Sequence, residues 1–242
     1  MGFRKKDGSE LFDDWPDRYD SWFSTPVGLL VKKFETSLLL EMLRPKRGET
    51  ILDVGCGTGV FTLDVLHYET KIFGVDISTP MLVQAVKKTS IYPFYAIAGD
   101  MSALPFPDKF FDKVYSMTAL EFVADAAKAV SELDRVTRPG GKVVLTTLNS
   151  LSPWAERRRH EGKKGHTLFK YMRFRSPEEL ADLAPRKPQI KTAIHFLKED
   201  DPKQAEHTEA EGKRDKRITG AFIAMSWSKP KTAKKNQLGE IA

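Results

Sequence analysis

Short apolar runs alternate with longer segments of helical periodicity along most of this chain. Runs at 50–54, 71–75, 94–98, 112–117 and 142–147 have the length of buried strands. Before the first run, Leu30, Phe34, Leu38 and Met42 repeat every four residues, which predicts a helix over 28–43 ending at Arg44-Pro45. After the fifth run, 177–183 reads as a helix, and 191–197 and 221–228 as two final strands. Strands alternating with helices predict an α/β chain on an open sheet, with no internal repeat. Two stretches break the pattern. Residues 198–217 hold seven acids and six bases and almost nothing apolar, so a solvated, mobile excursion is expected there. The tail, 229–242, is expected to be disordered.

The turn after the first strand carries the chemistry. Residues 51–59 read I-L-D-V-G-C-G-T-G, with Gly55, Gly57 and Gly59 at alternate positions. Glycine is needed where backbone bends sharply beneath a ligand, because a Cβ would block the approach or forbid the dihedrals. Asp76 ends the second strand, 21 residues beyond Gly55. An acid at about that distance suits a ribose diol, so loop and acid together predict a nucleoside-containing ligand. The spacing is G-x-G-x-G, whereas the dinucleotide fingerprint is G-x-G-x-x-G, and no P-loop G-K-[ST] follows. An NAD oxidoreductase is therefore disfavoured.

Five blocks, in order, carry a family resemblance: L-D-V-G-C-G-T-G (52–59), G-V-D-I-S (74–78) with P-M-L (80–82), A-G-D-M-S-A-L-P-F (98–106), F-D-K-V (111–114) and R-V-T-R-P-G-G-K-V-V-L (135–145). Here the chain resembles the class I S-adenosylmethionine-dependent methyltransferases, in the type 11 group related to the ubiquinone and menaquinone enzymes. The resemblance implies a Rossmann-like seven-stranded sheet, mostly parallel with an antiparallel last strand, and helices on both faces. It implies S-adenosyl-L-methionine as cofactor and S-adenosyl-L-homocysteine as product. Gly55, Gly57 and Gly59, with Asp53, Cys56 and Thr58 in the same block, would receive the methionyl part. Asp76 would take the ribose hydroxyls and Ile77 the adenine face. Asp100 would meet the adenine amino group, with Gly99, Met101 and Met81 nearby. Met117 and Thr118 would stand beside the sulfonium.

The resemblance also gives the flanks a meaning. Residues 17–28 (D-R-Y-D-S-W-F-S-T-P-V-G) look like a lid over the cofactor, with Tyr19 and Trp22 offering aromatic faces to a cation; the competing reading is a staple for the following helix. Between Arg157 and Arg175 stand eight Lys or Arg against one acid, Glu161, which reads as a basic substrate cover or as a solvated loop. The whole is read as one methyltransferase domain, 1–242. It comprises an N-terminal lid and helix (1–45), a cofactor-binding core (46–150), the basic cover (151–176) and the rest of the sheet (177–228) before the tail.

Composition narrows the function further. The chain of 242 residues has a formal charge of +6 and is 40% hydrophobic, and it has no apolar stretch near the ~20 residues that cross a bilayer. Its first ten residues show no apolar signal region, and Cys56 is its one cysteine; both predict a cytoplasmic protein. The five histidines have no metal-ligand spacing, so no metal is expected. The position after the fourth strand reads M-T-A-L rather than the [DN]-P-P-[YF] of enzymes that methylate nucleic-acid amines. A small, anionic acceptor is the leading expectation. RNA or protein methylation through 157–175 is the second, and cofactor binding without transfer the third. Tyr19, Glu121, His160 and His166 are candidate bases, but none sits in a motif that assigns it, so no catalytic residue is named. Oligomeric state is left open.

Overall fold

The computed structural model describes residues 11–231. The predicted disorder of the tail therefore falls outside the described residues from 232 onward, as does the reading of the first ten.

Seven strands form one sheet: β1 (Thr50–Val54), β2 (Lys71–Asp76), β3 (Phe94–Ala98), β4 (Phe111–Ser116), β5 (Thr137–Leu148), β6 (Gln189–Ala193) and β7 (Phe222–Ser228). Their order is β3-β2-β1-β4-β5-β7-β6. Strands β1 to β5 pair in parallel, and β7 is antiparallel to both β5 and β6. This is the Rossmann-like arrangement expected, with the last strand reversed.

The helices are α1 (Pro16–Trp22), α2 (Pro26–Leu43), α3 (Thr62–Leu66), α4 (Thr79–Lys88), α5 (Ala126–Val136), α6 (Pro153–Lys163), α7 (Pro177–Asp182) and α8 (Pro202–Arg214). Strand residues alternate between two cores, as the pleat requires. Ile51, Val144, Phe222 and Ala224 pack with α2 and α3 on one face. Leu52, Val143, Ile223 and Met225 pack with α5 and α7 on the other. Helix α2 starts with Thr25 accepting the Gly28 N–H and stops where Arg44 turns left-handed, at φ 51°. Among the described residues no helix is long and apolar enough to cross a membrane, and no three His, Cys, Asp or Glu side chains gather as metal ligands.

Two expectations change. The predicted strand 191–197 is displaced to Gln189–Ala193, because Ile194 turns out of the sheet at φ 65°. Residues 198–217, expected as an excursion without regular structure, contain α8. Asp201 caps it by accepting the Lys203 N–H at 3.0 Å, and Ala205, Glu209 and Gly212 form its buried stripe. Glu209 is tolerated inside because His195 Nδ1 lies 2.9 Å away and the His195 backbone N–H donates to it at 2.8 Å. A buried acid partnered from β6's end is invisible to a composition argument.

The chain runs from β1 out to β2 and β3, then returns to β4 on β1's other side. Loops after β1 and β4 thus diverge at the carboxyl edge, opening a crevice where ligands bind open α/β sheets.

Candidate functional site

At this switch point the chain after β1 bends back over β2. The Gly55 and Cys56 N–H groups both donate to the Val75 carbonyl, at 2.7 and 3.0 Å. Gly55 lies at φ +73°, and a Cβ on it would stand 2.4 Å from that of Ala119. Glycine is thus required there both for conformation and for the close passage of the chain after β4. At Gly57 (φ +53°) a Cβ would meet nothing within 4 Å, so only the backbone conformation demands glycine. Asp76 closes the loop from below: its Oδ2 accepts the Gly57 N–H at 2.8 Å and its Oδ1 the Ser78 N–H at 2.9 Å. Burial raises this carboxyl above its ordinary value, against the opposing pull of those backbone donors. Each oxygen keeps acceptor capacity for a further donor.

The other sequence-predicted positions divide. Gly99 sits beside Asp76, donating its N–H to the Asp76 carbonyl at 3.0 Å. Ile77 lies exposed on the rim. Asp100 is exposed too, and its Oδ1 is engaged by the Ser102 N–H (2.7 Å) and hydroxyl (2.8 Å). Met81, Met101 and Met117 are buried. Cys56 is buried, and desolvation together with Asp53 and Asp76 raises its thiol pKa well above normal. It remains a neutral thiol, unsuited to nucleophilic attack.

Asp53, just before the loop, is buried. Its Oδ2 accepts from Thr62 and Tyr115 hydroxyls, each at 2.7 Å, while Oδ1 has no partner among the described residues. Burial pushes its carboxyl up to about 7, the two hydroxyls partly offsetting this.

The N-terminal segment lies across this site. Thr58 donates its hydroxyl to Asp20 on α1 at 2.6 Å, and Lys88 of α4 pairs with the same carboxylate at 2.6 Å. Ser78 donates to Asp13 at 2.7 Å. Edge-to-face contacts run from Tyr19 to Phe23 (5.2 Å) and from Phe23 to Phe61 (5.5 Å). Asp20 was not singled out from the sequence, since one acid between aromatics carries no motif.

Beneath α1 is a cavity of about 250 Å³ walled mainly by aromatic and aliphatic side chains, among them Phe12, Trp15, Trp22, Phe122, Phe169 and Met172. Its polar groups are Arg18, Tyr19, Glu35, Thr118, Arg158 and His166. Thr118, just past β4, holds φ 46°, a conformation strained for a β-branched residue. Its N–H donates to the Thr146 hydroxyl at 3.0 Å. Burial pushes Glu35 up to about 8 and lowers Arg158 to about 10, and burial likewise raises the Tyr19 phenol. Glu35 was missed although a signal existed. The buried residues of α2 include Val31, Glu35, Leu38, Leu39 and Met42, so Glu35 sits at an apolar position of the helical stripe.

The candidate bases separate here. Tyr19 and His166 line the cavity, His166 stacked on Phe169 at 3.7 Å. His160 is exposed on α6 and lies outside the cavity. Glu121 is buried beside the cavity, its Oε1 accepting the Leu148 N–H at 2.6 Å. The basic segment forms α6 and the turn after it, and of its eight cations Arg158 alone lines the cavity. Arg157 faces Glu161 and Glu199 at 3.8 Å, Arg159 lies over Phe174, and Arg173 donates to the Ala124 carbonyl. Most of the segment's charge thus lies outside the cavity.

Comparison with known proteins places this geometry. Residues 52–145 match the family model described as a methyltransferase domain. The chain is 34% identical over 149 residues to a demethylmenaquinone methyltransferase of Beutenbergia cavernae, covering 62% of this chain and 60% of that one. It is 35% identical over 120 residues to a malonyl-[acyl-carrier protein] O-methyltransferase of Pseudescherichia vulneris, covering 50% and 47%. The chain thus spans between about half and three fifths of these relatives' length. A solved S-adenosylmethionine-dependent methyltransferase of Thermotoga maritima superposes with a TM-score of 0.67 at 22% identity, over 90% of this chain and 98% of that one; at that identity the likeness shows the fold. Residues 52–145, which contain the glycine loop, Asp76, Asp100 and Thr118, thus match a methyltransferase domain.

Proposed function

We propose that this protein binds S-adenosylmethionine over the glycine loop and methylates a small molecule held in the aromatic cavity. The observation that carries this reading is the cavity's position: it lies under α1 and reaches Thr118 at the end of β4, next to the loop that closes on Asp76. A cavity of about 250 Å³ lined mainly by aromatic and aliphatic side chains suits a small molecule rather than the continuous groove that RNA would need.

The residues present fit the cofactor. Asp76 offers spare acceptor capacity to the ribose hydroxyls, and the bare backbone at Gly57 leaves room for the methionyl chain. Asp53, with one carboxyl oxygen unpartnered, would take the ammonium end. Ile77 and Asp100, both exposed on the rim, would meet adenine. Tyr19 and Trp22 would present aromatic faces towards the sulfonium. When bound, the cofactor supplies an electrophilic methyl group with a good leaving group. The chain's own part is orientation and exclusion of water. Alignment of reacting groups can contribute up to roughly 7–11 kcal/mol, and α1, tied to Thr58 through Asp20, would keep water out.

Calorimetry with S-adenosylmethionine and S-adenosylhomocysteine tests the reading. Micromolar binding by the wild type and its loss in Asp76→Ala are expected. A correctly folded wild-type protein that binds neither ligand would refute it.

A further inference from the structure

Two arginines line the cavity: Arg18, exposed on α1 with its guanidinium over Trp15 at 5.7 Å, and Arg158, half-buried on α6, whose surroundings are unusual. The Arg158 guanidinium lies over the rings of Trp154 (5.3 Å) and Phe169 (5.9 Å). It makes neither a salt bridge nor a hydrogen bond with a described residue, so its planar fork of donors is unspent. Across from it, Glu35 is buried in the same wall and also lacks a hydrogen-bond partner among the described residues. An unpaired guanidinium in an apolar setting is costly unless something completes it.

From this geometry we infer that the cavity selects an acceptor carrying a carboxylate, which the Arg158 guanidinium grips as a planar fork, while Glu35 acts as an internal competitor for that grip. The inference rests on the methyl-transfer reading only in calling the bound molecule an acceptor. A guanidinium matches a carboxylate with two parallel hydrogen bonds, and the aromatic walls suit a flat apolar body. The cavity of about 250 Å³ has room for a benzoate-sized acid.

Glu35 sets when the grip is available. With its carboxyl pushed up to about 8 by burial, it is mostly neutral at pH 7, and Arg158 then stands as an uncompensated positive charge. Above that pH Glu35 ionises while Arg158, lowered only to about 10, is still charged, so the two neutralise each other. Other groups around Glu35 are Glu121 from the turn after β4 and Tyr19 from α1, with His166 and the more exposed Arg18 in the same wall. The anion therefore binds best below the Glu35 transition.

The test compares benzoate with benzamide, which has the same shape and no charge. Binding is read by calorimetry and by tryptophan fluorescence, with and without S-adenosylhomocysteine. Wild-type protein should bind benzoate more tightly than benzamide. Arg158→Gln should weaken benzoate about tenfold or more, as loss of a charge-assisted hydrogen bond implies, and leave benzamide unchanged. Arg158→Lys should restore part of the difference. Benzoate affinity should fall as pH rises through about 8, and Glu35→Gln should remove that fall. Equal binding of the two probes, absence of benzoate binding, or charge selectivity surviving in a folded Arg158→Gln protein would each overturn the inference. S-adenosylhomocysteine binding in the same samples keeps a failure here separate from failure of the methyltransferase reading.

Discussion

Replacing Asp20 by alanine isolates the clamp that holds α1 over the glycine loop. The wild-type carboxylate receives the Thr58 hydroxyl at 2.6 Å and the Lys88 ammonium at 2.6 Å, with the acid about a third exposed. A hydrogen bond to a charged group contributes about 1.5–3 kcal/mol, whereas a partly exposed ion pair adds only about 0.2–1 kcal/mol. Both act on one carboxylate and do not add fully, so a loss of about 2 kcal/mol in docking α1 is expected, equivalent to about 30-fold in the docked-to-undocked ratio. Helix α1 has seven residues and cannot persist alone, so undocking exposes its amides. Hydrogen exchange over residues 17–23 should therefore accelerate by about that factor, while the strands keep their protection. Affinity for S-adenosylhomocysteine should drop, because the ligand must restore the clamp's share of docking energy. Thr58→Val should reproduce most of the effect, since it removes the stronger contact. Unchanged exchange across α1 in Asp20→Ala would show that the aromatic contacts of Tyr19 and Phe23 dock the helix by themselves, and the clamp argument would be wrong.

Two further outcomes follow from the packing. Gly55→Ala should lower stability by about 2–4 kcal/mol, combining a left-handed backbone penalty with an overpacked contact, because its Cβ would lie 2.4 Å from that of Ala119; a thermal melt indistinguishable from wild type would contradict the geometry. At Glu209, burial works to raise the pKa, but hydrogen bonds from the His195 side chain and backbone outweigh it, leaving the carboxyl below its ordinary value. An acid depressed in the folded state contributes stability that is present above its unfolded pKa and lost as pH falls through the folded one. Wild-type stability should thus decline below the ordinary glutamate pKa of about 4.3, and Glu209→Gln should be less stable at neutral pH with a flatter acid limb. Parallel acid limbs for the two proteins would remove the pair from the account.

Much of this protein was written locally. Five of the strands, the turn after β1 and the acid at Asp76 depend on neighbouring residues and fixed spacing, and sequence pattern reports such things directly. The stop of α2 at Arg44-Pro45 is of the same kind. The resemblance then supplied the reversed β7 and the names of the cofactor positions. Elements held by distant partners were less legible. Strand β6 ends early because Ile194 adopts a left-handed turn, and α8 forms beneath a uniformly charged sequence because His195 partners Glu209. The cavity was least legible of all. Tyr19, Glu35, Thr118 and Arg158 come from α1, α2, the turn after β4 and α6, and no local rule joins them. Patterns of polar and apolar residues encode burial by residue type, so they determined the sheet, the helical faces and the loop. Which charged groups were taken inside, and that one of eight cations reaches the cavity, was decided only by tertiary packing, because the cost of burying a charge depends on partners the folded chain alone brings together.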